Sequence, residues 1–83
     1  MSYRENFAAN LEQLRKSNGL SLNALAVELG ITNQAVSLLE KGKRSPSFEI
    51  LCALADYFEV PLDYLVGRSD DPTIRTPEDF DDL

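Results

Sequence analysis

Apolar residues recur at helical spacing in five stretches of this chain, separated by hydroxyl residues, glycines and prolines. Phe7, Leu11 and Leu14, with Ala8 beside them, form the stripe of a first helix. Ser2-Tyr3-Arg4-Glu5 has the capping-box spacing that starts it, and Asn18-Gly19 ends it. A second helix is predicted from about Leu22 to Leu29 with Ser21 as its N-cap, and a third from about Asn33 to Lys41, capped by Thr32 and stopped by Gly42. Ser47 caps a fourth, roughly Phe48 to Phe58, with Phe48, Leu51, Leu54, Ala55 and Phe58 on one face. After Glu59-Val60-Pro61 a short fifth helix, about Leu62 to Val66, carries Leu62, Leu65 and Val66 and ends at Gly67. No strand-like alternation competes, so the predicted class is all-α with five helices. From Arg68 onward two prolines, clustered acids and few apolar residues read as a flexible tail. The expected division is a folded domain over 1–68 and an acidic tail over 69–83.

The tightest pattern lies in LNALAVELGITNQAVSLLEKG, residues 22–42. Ala26 is small enough to let a second helix cross close to the first. Gly30 can take the positive φ that stops one helix and reverses the chain. Leu25, Leu29, Ile31, Val36 and Leu39 supply the apolar contact between the two. Two short amphipathic helices joined this way form a helix-turn-helix, whose second helix normally enters the DNA major groove.

At roughly 100° per residue the third helix separates into two faces. Ala35, Val36 and Leu39 point inward, whereas Asn33, Gln34, Ser37, Leu38 and Lys41 point outward. Asn33 and Gln34 are the candidate base readers, because a carboxamide can give and take hydrogen bonds with adenine N6 and N7. Ser37 can reach a base or a phosphate, and Leu38 can contact a thymine methyl. Thr32 serves first as a cap and can also reach phosphate. Lys41, Lys43 and Arg44 are the phosphate candidates. The competing reading of all these residues is an ordinary solvated face with a basic loop after it.

Charge at first looks wrong for DNA, since the net value is −6. Residues 1–68 hold seven Lys/Arg and eight Asp/Glu, a net of −1, while residues 69–83 hold one Arg and six acids, a net of −5. The acidity therefore sits in the tail, and the positive charge is grouped at Lys41, Lys43 and Arg44 and at Arg15 and Lys16.

The length of 83 residues suits one small domain, for which oligomerisation is a natural supplement to a limited core. With no His and only Cys52, neither a zinc site nor a His-based triad has its side chains, so no metal, cofactor or enzymatic activity is expected. Cys52, in ILCALADYF, reads as a buried inert thiol. No apolar run is long enough to span a membrane and no basic-then-apolar segment opens the chain, so a cytoplasmic protein is expected.

Residues 7–66 resemble the phage-repressor and Cro type of helix-turn-helix domain, the xenobiotic-response-element-like family of bacterial regulators. The resemblance is carried by LSLNALAVELGIT, LLEKGKRSPSFEIL and FEVPLDYLVG, and by E-x-G-x-x-x-P at Glu40, Gly42 and Pro46. It implies a lambda-repressor-like five-helix domain that binds a near-palindromic operator as a homodimer, with double-stranded DNA as its partner and transcriptional repression as its outcome. It also implies an ion pair between Arg15 and Glu40 linking the first helix to the end of the third, and a dimer contact from the fourth and fifth helices, where Tyr57 and Tyr64 are candidates. Two positions depart from the family pattern: Leu22 stands where Gln is common, and Leu38 where a polar or basic residue is common. A Leu22/Leu38 surface, or the acidic tail with Phe80 and Leu83, offers the alternative of a protein-interaction module such as an antitoxin. The tail could also fold back over the DNA face as a mimic of phosphate.

Overall fold

The computed structural model describes residues 2–74, and its five helices are α1 (Tyr3–Ser17), α2 (Leu22–Leu29), α3 (Asn33–Glu40), α4 (Phe48–Phe58) and α5 (Leu62–Leu65). Four of them start by one device. Ser2, Ser21, Thr32 and Ser47 are extended, and each hydroxyl accepts the N–H three residues on, from Glu5 at 3.1 Å, Ala24 at 3.0 Å, Ala35 at 3.1 Å and Ile50 at 3.1 Å. Each cap satisfies a donor that the helix itself leaves free. α5 follows Pro61 and has no side-chain cap.

The helix ends share a second device. After α2, Ile31 N–H donates to Ala26 C=O at 3.0 Å and Gly30 N–H to Val27 C=O at 3.2 Å. This paired return needs a left-handed residue between the two donors, and Gly30 supplies it at φ 70°. The same pairing closes the other four helices. Glycine stands at the left-handed position in α1, α2, α3 and α5, but α4 ends on Glu59 at φ 55°.

Phe7, Leu11, Leu25, Ala26, Val36, Leu39, Leu54, Ala55, Val60 and Leu65 make one core. α1 packs against α3 and α5, α2 against α3 and α4, and α4 against α5. Ala26, on α2, is 2% exposed within this core, and a small side chain there permits close approach of a neighbouring helix. Every residue of this core is apolar, so the core itself is held by apolar contact.

Four expectations are corrected. α3 ends at Glu40 with Lys41 as its closing cap, and α5 ends at Leu65 with Val66 in that role. Phe48 is 75% exposed instead of lying in the α4 stripe. It is the first helical residue, and a helical side chain leans toward the N-terminus, which carries its ring past the end of the core. Cys52 is half-buried instead of buried, on the flank of the α4 stripe. Beyond α5, Ser69 Oγ accepts from Asp71 N–H at 3.1 Å and Asp71 Oδ1 from Thr73 N–H at 2.9 Å. The remainder of the acidic tail, with Phe80 and Leu83, lies outside the described residues.

Candidate nucleic-acid interface

The α2–turn–α3 unit is fastened at both ends of its second helix. Thr32 caps α3, and Val36 and Leu39 anchor it, at 0% and 3% exposed. This leaves Asn33 and Gln34 exposed on the leading turn, with Leu38 at 38% and Lys41 exposed further along. Ser37 is half-buried, so its hydroxyl lies at the edge of that face and not at its centre. Because Thr32 Oγ1 accepts a bond from Ala35 N–H, its own proton is free to be donated outward.

The far end of α3 is tied to α1. Arg15 Nε donates to Glu40 Oε2 at 2.6 Å and Nη2 to Oε1 at 3.1 Å, a two-bond fork between guanidinium and carboxylate. The third arm, Nη1, donates to Leu20 C=O at 2.9 Å, in the loop between α1 and α2. That third bond was not foreseen from the sequence, where nothing marks one carbonyl over its neighbours. The side chains are 12% and 5% exposed, so the pair is largely screened from water. The hydrogen bond to Glu40 raises the Arg15 pKa above the ordinary arginine range, against the opposing pull of desolvation. Arg15 therefore stays charged wherever the protein is folded.

Past Gly42, the loop to α4 carries Lys43 and Arg44, both exposed. Neither they nor Lys41 is ion-paired among the described residues. Three cations free of carboxylate partners, next to an exposed row of carboxamides, form a surface suited to a polyanion whose edges carry hydrogen-bonding groups. Leu22, by contrast, is half-buried and packs against the core. The exposed large apolar residues of the two motif helices are Leu38 and, on α2, Val27 at 70%, a residue that no pattern in the chain singles out.

A second exposed apolar region lies where α4 meets α5. Tyr57 and Leu62 are each 41% exposed, and the Tyr57 ring meets Phe58 edge-on at 5.1 Å between centroids. Tyr64 is half-buried and Leu65 is fully buried, so Leu65 belongs to the core alone. No helix among the described residues is long and apolar enough to cross a membrane.

Comparison with known proteins places this arrangement. A family model described as helix-turn-helix (HTH_3) matches residues 11–65. The HTH-type transcriptional regulator AnsR of Bacillus subtilis (strain 168) is 43% identical over 58 residues, covering 70% of this chain and 50% of that protein. Among solved structures, the restriction-modification controller protein C.AhdI from Aeromonas hydrophila is 30% identical with a TM-score of 0.66, covering 74% of this chain and 92% of that one. A transcriptional regulator from Listeria innocua is also 30% identical, with a TM-score of 0.73, over 92% of this chain and 69% of its own. The chain spans between 50% and 60% of the length of the first curated relatives it matches. Since the family model covers more than half of its residues, the chain belongs to the helix-turn-helix family of the phage-repressor and Cro type.

Proposed function

We propose that this protein is a sequence-specific DNA-binding transcription regulator, acting as a homodimer that represses by occupying DNA needed by polymerase. The observation that carries the proposal is the bare leading turn of α3. Asn33 and Gln34 are exposed there on a helix held by Thr32, Val36, Leu39 and the Arg15–Glu40 fork. In this reading Asn33 and Gln34 read base edges, Leu38 meets a thymine methyl, and Ser37 supports from the rim. Thr32, Lys41, Lys43 and Arg44 hold phosphates, and Arg15 with Glu40 fixes the angle at which α3 and the basic loop leave the domain. The relatives' role as transcriptional regulators supports the same assignment.

Tyr57 and Leu62 supply the contact between copies, since a partly exposed aromatic and a partly exposed leucine on consecutive helices lose water readily on pairing. A two-fold dimer sets its recognition helices about one DNA turn, roughly 34 Å, apart, which makes the operator a near-palindrome. The direct experiment is selection of bound duplexes from a random pool at modest salt. An enriched inverted repeat is the expected result, and its half-site spacing reports the dimer geometry. Weak, salt-sensitive binding with no enriched sequence would reject the reading.

The exposure of Val27 and Leu38 favours one second reading, a protein-interaction module such as an antitoxin that uses the same helices. A protein partner whose binding is lost in Leu38→Ser, while Asn33→Ala and Gln34→Ala leave it intact, would establish that role.

A further inference from the structure

α3 packs on α1 and α2 but not closely on α4, and a cleft of about 200 Å³ lies between them. Ala35 and Leu39, one turn apart, form its wall on α3. Ile31, Pro46 and Ile50 close it from the turn before α3, the following loop and the first turn of α4. All but Leu39 are half-buried, so this apolar wall still meets water. The rest of the lining is polar and exposed, and consists of Arg44, Ser45 and Ser47. Arg44 has no ion-pair partner among the described residues, and no acidic side chain lines the cleft. Ser47 Oγ accepts the Ile50 N–H as a cap, which leaves its own proton free to be donated.

We infer that this cleft binds a small monocarboxylate with an apolar body, of the size of benzoate, whose head group takes Arg44 away from DNA. A cavity of about 150 Å³ holds one benzene ring, so about 200 Å³ admits a ring with one carboxylate and little more. A guanidinium fork matches a carboxylate with two parallel N–H···O bonds, and the serine hydroxyls add donors beside it. A neutral apolar molecule would leave the guanidinium unused, and an inorganic anion would leave the apolar wall wet. The two halves of the cleft therefore ask for one molecule that carries both. The effect on DNA rests on the DNA-binding reading, in which Arg44 holds a phosphate, because a fork that grips a carboxylate is not available to the backbone.

The test is a titration of benzoate into the full chain at fixed ionic strength, followed by backbone amide NMR. Acetate and benzamide serve as the head and the body alone. Saturating shifts grouped at Ile31, Ala35, Leu39 and residues 44–50 are expected, with a dissociation constant of about 0.1–1 mM for an acid of this size. Acetate and benzamide should each bind about tenfold more weakly or worse. Arg44→Gln, at an exposed position, should weaken benzoate about tenfold with the melting temperature unchanged. Acetate binding as well as benzoate would reduce the cleft to an anion contact, and benzamide binding as well would remove Arg44 from it. Either overturns the inference, as do shifts that never saturate and spread over every cationic residue. Saturating benzoate should weaken the duplex recovered by selection about three- to fivefold, as loss of one exposed charge contact predicts, and leave the Arg44→Gln complex unaffected. Benzoate held in the cleft with duplex affinity unchanged would overturn the competition with DNA. If the unsubstituted protein selects no duplex, the DNA reading fails, whereas the benzoate titration still decides the cleft.

Discussion

Arg15 and Glu40, 25 positions apart in the chain, meet in a two-bond fork that fastens the end of α3 to α1. A third bond from the same guanidinium reaches the Leu20 carbonyl, so one side chain joins α1, the loop before α2 and the end of α3. Glu40→Ala would leave a largely buried cation without its partner, and an expected loss of about 2–3 kcal/mol follows. Replacing both partners by apolar residues of similar size, Arg15→Met with Glu40→Leu, should cost clearly less than the two single changes summed. Urea unfolding of the parent, Glu40→Ala, the two apolar single changes and their double measures both quantities, and simple additivity would show that the fork is not a coupled unit. The raised Arg15 pKa gives the sign of the pH dependence. Its contribution is complete below the ordinary arginine pKa and fades only as pH rises through the higher folded-state value. Between pH 6 and pH 9 this pair should therefore add no pH dependence from the arginine.

Asn10 holds α1 to α5. Its carboxamide Nδ2 donates to the carbonyls of Tyr64 at 3.0 Å and Leu65 at 3.2 Å, beyond the last turn of α5, where the Tyr64 carbonyl also accepts from Gly67 N–H at 3.2 Å. Asn10→Ala should cost about 1–2 kcal/mol by removing two part-buried hydrogen bonds and leaving the Leu65 carbonyl without this donor, and Asn10→Asp should cost more, since a carboxylate would face both carbonyls. Chemical denaturation with unchanged m-values decides this. Equal stability of Asn10→Ala and the parent would mean that solvent serves those carbonyls as well.

The two kinds of helix end predict opposite signs for two substitutions. Glu59 is exposed and sits at φ 55°, in the place where the other four helices have glycine. Glu59→Gly removes that strain and should stabilise by about 0.5–1 kcal/mol, after allowance for the freer unfolded chain. Gly67→Ala does the reverse. Its φ is 79°, and a Cβ there would lie 2.7 Å from the Asn6 Cβ, so α1 and the end of α5 must part. A loss of about 2 kcal/mol or more is expected. Melting temperatures that move together would refute the contrast.

These cases show where the sequence was legible. The starts of α2 and α4 could be read to the residue because Ser21 and Ser47 act on N–H groups three positions away, and that signal is local. The stripes of α1 and α3 were legible for the same reason, since Phe7, Leu11, Val36 and Leu39 repeat within one or two turns. Periodicity misplaces Phe48 because it treats a helix as endless, whereas the first residue leans off the end of the core. Asn10 passed unnoticed because its acceptors lie 54 and 55 positions away and are backbone atoms, which leave no mark in a side-chain pattern. Glu59 in the left-handed region was also hidden, since the usual sign of such an end is glycine. In the candidate interface, Asn33 and Gln34 follow from the helical wheel, but the half-burial of Ser37 depends on neighbouring elements.

The division of labour on the proposed DNA face gives the last prediction. Asn33 and Gln34 are neutral and exposed, so neither change to alanine should move the melting temperature by more than a degree or two. If they read bases, each should cost about 1–3 kcal/mol on the selected duplex and much less on an unrelated one, relaxing the preference at the positions each contacts. Arg44→Ala should act differently. It should weaken both duplexes alike and lower the salt slope by about one, because it removes a phosphate contact and no sequence reading. Titrations of selected and scrambled duplexes at several salt concentrations separate the two patterns. A uniform loss from Asn33→Ala and Gln34→Ala on both duplexes would remove them from base reading. A loss confined to the selected duplex would give α3 its role as the reading element.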